Sequence, residues 1–532
     1  MKRKILNSKI FLYLTEFFAG MSVMAVELGA SRLLAPYFSS SQIVWTIIIG
    51  TIMIAMALGN IYGGRSADRN PNPDRLYARI LIAAVWIGMI PVLGKYIILG
   101  ISALLIFAVN QNFLIIAAFA ACMVIFVFPL FLLGTVTPSL AKYSVSSLSS
   151  SGRTVGTLGA FNTIGSIIGT FIPTFVTIPA VGTSVTFLIF AGILLALGLI
   201  YFISSKISRA KCIVASVLFV VSCVFGHSPS FAFWQEDLTY EGESVYNYLQ
   251  VYEDDSQIAL STNVLFGVQS IKNKQGGLSG MYYDYAMLAP FMADVENKDE
   301  LDVLILGMGT GTYATQCLSY FDNVKVTGVE IDDKITMLAK RYFDMPKEAL
   351  VYTYDGRAYL NASDEVFDVI MVDAYQDITI PFQMSSVEFF TLVRDHLSED
   401  GVMVVNMNMK GKQKDSINDY LADTIASVFT NVYTIPVDYS TNEELFASMN
   451  DGFLDNMNRN ISACDDETLT AAVDKYAKGI RKYESADRIM TDDKAPVELL
   501  GMRVIDEIIR DEVEYYKKIY DEKGIQGILE SL

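Results

Sequence analysis

Carboxylates stand at three places in the second half of the chain where predicted β-strands end. Glu330 follows the apolar run 324–329, Asp355 follows a further predicted strand, and Asp373 follows the run 366–372. The carboxyl ends of parallel strands meet at one edge of a sheet, so these side chains are expected to line one ligand site. Carboxylates placed there can accept hydrogen bonds from ribose hydroxyls, attract ammonium groups and act as a general base.

A glycine-rich turn follows the first predicted strand of this half. Gly307, Gly309 and Gly311 alternate with other residues in the sequence G-M-G-T-G-T, with Thr310 between the last two glycines. Glycines at such a turn let the backbone approach a ligand, and an acidic residue about 20 positions further on, here Glu330, accepts ribose hydroxyls. The G-x-G-x-G spacing favours an S-adenosylmethionine-type ligand over a dinucleotide, and a purely structural tight turn is the alternative.

Apolar strand runs alternate with helical segments from residue 301 onward, which predicts a parallel, doubly wound Rossmann-like α/β sheet. Residues 244–275 alternate in polarity and predict a small antiparallel β unit before that sheet. The fold class expected here is therefore an S-adenosylmethionine-methyltransferase-type domain with a small N-terminal β unit. We place the β unit at 236–300, the Rossmann-like catalytic domain at 301–484 and a helical tail at 485–532.

The first 235 residues predict a multi-span α-helical membrane domain. Hydrophobic residues make up 52% of the 532-residue chain and its mean hydropathy is +0.36. Seven apolar runs approach the length needed to cross about 30 Å of hydrocarbon. The third run contains Pro91 and Gly94 and is expected to kink or to form two short helices. The seven runs are 10–35, 41–63, 77–107, 112–139, 153–178, 182–203 and 210–226.

Charge divides the chain at the same place. Residues 1–235 carry 15 Lys or Arg against 4 Asp or Glu, whereas the whole chain has a net charge of −18. The strongly acidic remainder argues against a nucleic-acid partner, because phosphate contacts need clustered cations. Two histidines, no CxxC pair and no HExxH motif give no basis for a metal site.

Lys and Arg cluster in alternate loops of the apolar half, which orients it in a membrane. The positive-inside rule places the N-terminus in the cytoplasm. Seven spans would then put the acidic half outside, although adenosyl sulfonium compounds are made in the cytoplasm. We expect a multi-pass cell-membrane protein with the lipid bilayer as a partner, and the loop charges favour the outer side for the acidic half.

Ionisable residues in the first apolar helix are the strongest functional candidates of the membrane half. Glu16 and Glu27 lie three helical turns apart on one face, where they would either hold a cation or take part in structural ion pairs with groups such as Arg32. The segment 64–69, G-R-S-A-D-R, resembles the G-x-x-x-D-R signature of the loop between helices 2 and 3 in major facilitator transporters.

From about residue 240 to 450 the chain resembles the polyamine aminopropyltransferase (spermidine synthase) family. The resemblance rests on the glycine turn and on the strand-end residues Glu330, Asp355 and Asp373. Glu27, Arg32, Pro36 and the segment 63–69 resemble the membrane half of the fused facilitator/spermidine synthase group, and the segment 492–498 resembles that group's tail. By the family's pattern, Glu330 binds the ribose, Asp355 meets the adenine and Asp373 lies near the attacking amine as the general base.

The resemblance also implies a substrate pocket. Gln269 stands where the family has a glutamine after its second hairpin, and Tyr282 stands where it has a pocket tyrosine. Tyr375 and Asp377 lie in the loop after Asp373, with Asp377 expected to anchor a cation. The implied co-substrate is decarboxylated S-adenosylmethionine or S-adenosylmethionine itself, the acceptor is a polyamine or another amine such as putrescine, and no metal is required. A homodimer is among the oligomeric states left open.

Two departures from the family's pattern leave the donor and the acceptor open. Thr310 stands where the family's glycine turn, G-G-G-D-G-G, has an aspartate for the donor's amine. The family's D-S-S-D-P is here D-A-Y-Q-D, which displaces the second carboxylate, Asp377, by one residue. One alternative is therefore an S-adenosylmethionine-dependent methyltransferase. The other is a non-catalytic polyamine- or nucleoside-binding module coupled to a half-transporter.

Overall fold

The chain forms two compact units in the computed structural model. Unit 1 comprises residues 1–235 and 241–248, and unit 2 comprises residues 236–240 and 249–532. The structure describes residues 8–105, 112–145, 151–228, 230–232, 235, 238–262, 268–294, 300–375, 380–409, 411 and 414–531.

Helices are the only regular structure in the described part of residues 1–235, as the apolar runs there predict. Five helical stretches are long and apolar enough to cross a membrane, and a sixth is added if the bent pair α4 and α5–α6 counts as one span. The described α-helices are α1 (Lys9–Phe38), α2 (Gln42–Arg69), α3 (Pro73–Leu105), α4 (Phe113–Ile125), α5 (Val127–Gly134), α6 (Val136–Ser144), α7 (Ser151–Ile172), α8 (Ile178–Ser205) and α9 (Arg209–Gly226).

The predicted number of seven spans differs from this count of five or six. The fifth and sixth predicted runs are joined without a loop, because the π-helical turn Pro173–Thr177 connects α7 directly to α8. The backbone leaves the helical conformation inside α8 at Gly182, where φ is +78°, a value that glycine adopts readily. The fourth run is bent by 49° between α4 and α5–α6.

Two local predictions in unit 1 are wrong. The segment 64–69 is the end of α2 and not a loop, and Ser66 within it accepts a hydrogen bond from Arg79 at 2.7 Å. Of the two alternatives predicted for the third run, two short helices is wrong, because α3 continues through Pro91.

Glycines allow α1 and α7 to pack closely. A Cβ atom at Gly165 would lie 2.0 Å from the carbonyl oxygen of Phe17, and one at Gly169 would lie 2.1 Å from that of Met21. Glu16 is fully buried beside this contact and accepts hydrogen bonds from the Thr137 hydroxyl and the Asn162 amide. Within the described residues, no group of three or more metal-ligating side chains is present.

Unit 2 contains the predicted doubly wound sheet. Its strand order is β12-β10-β11-β9-β8-β5-β6-β7, in which β7, β6, β5, β8 and β9 are parallel neighbours and the other pairings are antiparallel. The strands are β5 (Leu301–Leu306), β6 (Val324–Glu330), β7 (Leu350–Thr353), β8 (Phe367–Val372), β9 (Leu397–Met407), β10 (Asn431–Pro436), β11 (Glu443–Ser448) and β12 (Arg481–Lys482).

Helices connect these strands and cover the sheet. The strands β5 and β8 are buried along almost their whole length, as their continuous apolar runs predict. The helices are α10 (Tyr282–Ala286), α11 (Leu288–Met292), α12 (Thr312–Tyr320), α13 (Asp333–Tyr342), α14 (Gly356–Ala362), α15 (Val387–Asp395), α16 (Ile417–Ala426), α17 (Phe453–Ala463), α18 (Glu467–Ala477) and α19 (Val497–Ser531).

A separate four-stranded antiparallel sheet precedes the large sheet, as the alternation in polarity predicts, but its bounds differ. Its order is β1-β2-β3-β4, and its buried side chains in β2 and β3 pack on α13. It begins earlier than the predicted start at 244, and part of the predicted run 264–271 lies outside the described residues. The strands are β1 (Leu238–Glu243), β2 (Tyr248–Glu253), β3 (Gln257–Ser261) and β4 (Ser270–Asn273).

The C-terminal segment is more than an exposed helix. The first turns of α19 bury Val497, Leu500 and Val504, and the helical backbone is interrupted at Gly524, where φ is +66°. Before it, the buried Asp423 of α16 accepts hydrogen bonds from Tyr483 and from the backbone and side chain of Arg488. These contacts hold the segment before α19 against the sheet domain.

Candidate active site

The glycine turn and Asp373 meet at the point where the sheet changes direction. The order β8-β5-β6 makes the ends of β5 and β8 the crevice in which ligands of doubly wound sheets bind. Gly307 has φ +91°, and a Cβ atom there would lie 2.4 Å from the carbonyl oxygen of Asp373. A side chain at Gly307 would therefore push the two strand ends apart.

Glu330 is tied to the glycine turn from the end of β6. One carboxyl oxygen accepts a hydrogen bond from the backbone of Gly309 at 2.9 Å, and the other accepts one from Asp332 at 3.0 Å. Burial raises the pKa of Glu330 to about 7. Thr310 is buried in the same turn, with its hydroxyl 3.3 Å from that of Thr312.

Asp355 begins helix α14. Its carboxylate accepts a hydrogen bond from the backbone of Ala358 at 2.8 Å, an N-cap that fixes the residue at the end of β7. Arg357 in the first turn makes two hydrogen bonds of 2.7 Å to Asp492, which also accepts one from Ser386 at 2.6 Å. The tail segment that contains Asp492 thus holds the start of α14, a contact that connects this motif to the site.

Asp373 is held by side-chain hydrogen bonds at both carboxyl oxygens. Its two carboxyl oxygens accept hydrogen bonds from the Tyr282 hydroxyl at 2.6 Å and from the Asn406 amide at 2.8 Å. Asn406 is oriented in turn by Asn442, whose amide donates to it at 2.7 Å. Loss of hydration raises the pKa of the half-buried Asp373 carboxyl to about 7, so it can both take up and release a proton near neutral pH.

Aromatic side chains surround Asp373. The rings of Tyr282 and Tyr283 are 4.0 Å apart, and the Tyr283 hydroxyl donates to the carbonyl oxygen of Gln269 at 3.3 Å. Tyr375 donates a hydrogen bond to the carbonyl oxygen of Asn406. These contacts bring Tyr282, Gln269 and Tyr375 to the surroundings of Asp373.

The start of helix α10, which carries Tyr282, is fixed by Asp284. This buried carboxylate accepts hydrogen bonds from the backbones of Ser279 and Gly280, at 2.8 and 2.6 Å, and from the Gln316 amide at 2.7 Å. The contact ties the turn before α10 to helix α12. Tyr282 therefore reaches Asp373 from the start of a helix that is anchored to the sheet domain.

The sequence analysis missed part of the site. Asp377, the predicted cation anchor, lies in 376–379, outside the described residues. Asn406, Asn442 and Glu444 were not singled out, although each lies near Asp373 in the fold. A polar residue that ends an apolar strand run was an available signal for Asn406. Asn442 and Glu444 belong to the antiparallel side of the sheet, whose register could not be derived from the sequence.

The carboxyls of Glu330 and Asp373 should make the stability of the ligand-free protein depend on pH. A carboxyl whose pKa is raised on folding binds more protons than the unfolded chain, so its contribution to stability is lost as pH rises through the raised value. We expect the melting temperature to fall between about pH 4 and pH 7, and to fall less steeply in Asp373→Asn and Glu330→Gln. Thermal unfolding across this range measures the slope, and equal slopes in wild type and variants would contradict the assignment.

Comparison with known proteins supplies the family. Residues 282–451 match the spermine/spermidine synthase domain. A probable polyamine aminopropyl transferase of Bifidobacterium longum is 52% identical over 351 residues, which cover 63% of this chain and 78% of the relative. A polyamine aminopropyltransferase of Vibrio vulnificus is 26% identical over 301 residues, covering 53% and 97%. A probable spermidine synthase structure from Corynebacterium glutamicum aligns at 21% identity with a TM-score of 0.35, covering 47% and 97%.

The parallel sheet, the glycine turn and the strand-end carboxylates define a Rossmann-like transferase of the S-adenosylmethionine-methyltransferase fold. Within that class, the chain belongs to the polyamine aminopropyltransferase family, whose catalytic domain is of the spermidine synthase type. It is therefore an enzyme of polyamine biosynthesis.

Proposed function

We propose that unit 2 transfers an aminopropyl group from decarboxylated S-adenosylmethionine to an amine such as putrescine. The observation that carries this proposal is the Asp373 carboxyl, held between Tyr282 and Asn406 with its pKa raised to about 7. A base with this pKa suits an acceptor that arrives as an ammonium ion, because the amine has a pKa of about 10 in water.

The proposed reaction is a direct displacement. Asp373 attracts the ammonium group and takes one proton, which frees the nitrogen lone pair. The nitrogen then attacks the aminopropyl carbon bonded to sulfur. A carbon–nitrogen bond forms, the carbon–sulfur bond breaks, and the sulfonium leaves as neutral methylthioadenosine. Holding the two reactants in line supplies a large part of the rate enhancement.

The donor would lie along the ends of β5, β6 and β7. The glycine turn allows the adenosyl and sulfonium groups of the donor to approach closely. Glu330 accepts hydrogen bonds from the ribose hydroxyls of the donor, and Asp355 faces its adenine. Ionised Glu330 is needed to accept hydrogen bonds from both hydroxyls. Donor binding is therefore expected to strengthen as pH rises through about 7, the pKa of Glu330 in the ligand-free protein.

Identification of the nucleoside product tests this proposal. The full chain is purified in detergent and incubated with putrescine and either decarboxylated S-adenosylmethionine or S-adenosylmethionine. Methylthioadenosine formed from the decarboxylated donor supports aminopropyl transfer. Formation of S-adenosylhomocysteine would contradict it and support a methyltransferase, and binding of both ligands without either product would support a non-catalytic binding module.

We further propose that unit 1 anchors the enzyme in a lipid bilayer, as in the fused facilitator/spermidine synthase group. Its apolar helices support insertion. With the N-terminus in the cytoplasm by the basic loops, five spans place unit 2 outside and six would place it inside, and we propose the outer side. A Ser256→Cys variant in the exposed turn before β3 tests the side, because a membrane-impermeant maleimide reaches it in intact cells only from outside. Protection that disappears on lysis would contradict the outer placement, and the parent protein controls for native cysteines.

A further inference from the structure

Glu444 is a buried carboxyl that the proposed reaction leaves without a role. It has no solvent exposure, and neither of its carboxyl oxygens has a hydrogen-bond partner among the residues that the structure describes. Buried polar groups in folded proteins are nearly always hydrogen-bonded, so an unpartnered carboxyl requires a specific reason.

The register of the sheet directs Glu444 toward the active site. Glu444 lies directly opposite Asn406 in the antiparallel pairing of β11 with β9. Residues opposite each other in such a ladder place their side chains on the same face of the sheet. The Asn406 amide donates to Asp373, so the Glu444 carboxyl lies on the face from which Asp373 is contacted.

Glu444 also lies at the correct edge of the sheet. Its neighbour Glu443 pairs with Met407, the last residue of β9, so β11 begins where the parallel strands end. Asn442, immediately before β11, is hydrogen-bonded to Asn406 at this edge. The start of β11 is therefore part of the active-site wall.

The electrostatics of this wall favour a cation. Burial raises the pKa of Glu444 well above its usual range, and the negative charge of Asp373 raises it further. Two carboxyls that repel each other in a buried environment are both stabilised by a positive charge between or beside them.

The strand order indicates which substrate brings that charge. Along the sheet, β5, β8, β9 and β11 succeed one another, so the glycine turn lies on one side of Asp373 and Glu444 on the other. The donor is expected at the glycine turn. The acceptor is therefore expected on the other side of Asp373, toward Glu444.

We propose that Glu444 binds a second ammonium group of the acceptor and so selects diamines and longer polyamines over monoamines. This inference rests on the proposed aminopropyl transfer. Asp373 receives the reacting nitrogen, and Glu444 receives the remote one. Glu444 is thus a specificity-determining residue that contacts substrate but takes no part in the proton transfer.

Two acceptors of equal chain length test the proposal in the full-length enzyme. The probes are 1,4-diaminobutane and 1-aminobutane, with decarboxylated S-adenosylmethionine as donor. Because a hydrogen bond to a charged group is lost, Glu444→Gln should lower kcat/KM for the diamine roughly ten- to a hundredfold, mainly through KM. The monoamine should react at nearly the same rate in both proteins.

Glu443→Gln is the matched control, because it removes a charge from the adjacent residue on the opposite face of β11. It should leave the ratio of kcat/KM for the diamine to kcat/KM for the monoamine unchanged. Glu444→Asp is a second variant, in which the charge is kept but withdrawn by one methylene. It should shift the preferred acceptor toward a longer diamine, which tests the contact even if Glu444→Gln does not fold.

The outcomes separate this inference from the proposed function. If the wild-type enzyme forms methylthioadenosine with neither amine, the proposed function fails. If the wild type is active but Glu444→Gln leaves the diamine-to-monoamine ratio unchanged, the assignment of Glu444 is wrong. A rise in the KM of the donor instead would place Glu444 on the donor side and would equally overturn the inference.

Discussion

Replacing Asp373 by asparagine is expected to lower kcat roughly 10²–10⁴-fold, the usual effect of losing a general base. The amide keeps the shape of the carboxylate but neither attracts the ammonium group nor takes its proton. Tyr282 can still donate to it, and Asn406 can reverse its amide to accept from it. Donor affinity should therefore change little, because the proposed function assigns donor binding to Glu330 and Asp355.

Steady-state kinetics and donor titration on the same preparations measure both effects. Glu330→Ala is the complementary variant, in which donor binding should weaken before turnover is lost. If Asp373→Asn keeps turnover within a few-fold of wild type while donor affinity collapses, the two roles are reversed. If both quantities are unchanged, the reaction takes place elsewhere.

Thr310→Asp is expected to shift donor preference toward decarboxylated S-adenosylmethionine by roughly ten- to a hundredfold, since hydrogen bonds to charged groups contribute about 1.5–3 kcal/mol. Thr310 is buried in the glycine turn, where its hydroxyl meets only that of Thr312 among the contacts described. An aspartate there would attract the free ammonium of the decarboxylated donor and repel the carboxylate of S-adenosylmethionine. Calorimetric titration of both donors measures the ratio of their dissociation constants.

Thr310→Asn is the matched control, because it has the shape of aspartate without the charge and should leave that ratio near its wild-type value. The wild type itself should bind the two donors with similar affinity, since Thr310 carries no charge. A strong wild-type preference for the decarboxylated donor would contradict this and would mean that another carboxylate holds its amine.

The donor half of the site was predictable because it depends on local features. An apolar run followed by glycine or by a carboxylate marks the end of a buried parallel strand, and Gly307, Glu330 and Asp373 all follow this rule. Parallel strands must then meet at one edge, so sequence order alone brings these residues near one another. Their individual roles in binding and catalysis remain predictions.

The acceptor half was not predictable in the same way. Glu444 belongs to β11 and Asn442 immediately precedes that strand. The position of β11 beside β9 is set by antiparallel pairing between distant segments. A shift of one residue in that pairing would turn Glu444 to the opposite face. The sequence E-E-L-F does not distinguish the two registers, and only the pairing of Glu444 with Asn406 does so.

In the membrane half, hydropathy predicted where apolar helices lie but not how they are joined. The predicted boundary between the apolar runs 153–178 and 182–203 lies close to Gly182, where the backbone leaves the helical conformation. No loop separates the two runs, because helical structure extends from Ser151 to Ser205. Hydropathy reports the environment of a segment and contains little information on whether its backbone continues as a helix.

The central claim, aminopropyl transfer to an amine at Asp373, is tested most directly by following the transferred group itself. The full-length enzyme is given putrescine and decarboxylated S-adenosylmethionine labelled in its aminopropyl chain, and the amines are analysed by mass spectrometry. The account predicts that the label appears in a triamine, with an equal amount of methylthioadenosine, and that both products are nearly absent with Asp373→Asn. Label that stays in the nucleoside while a methylated amine forms would contradict it.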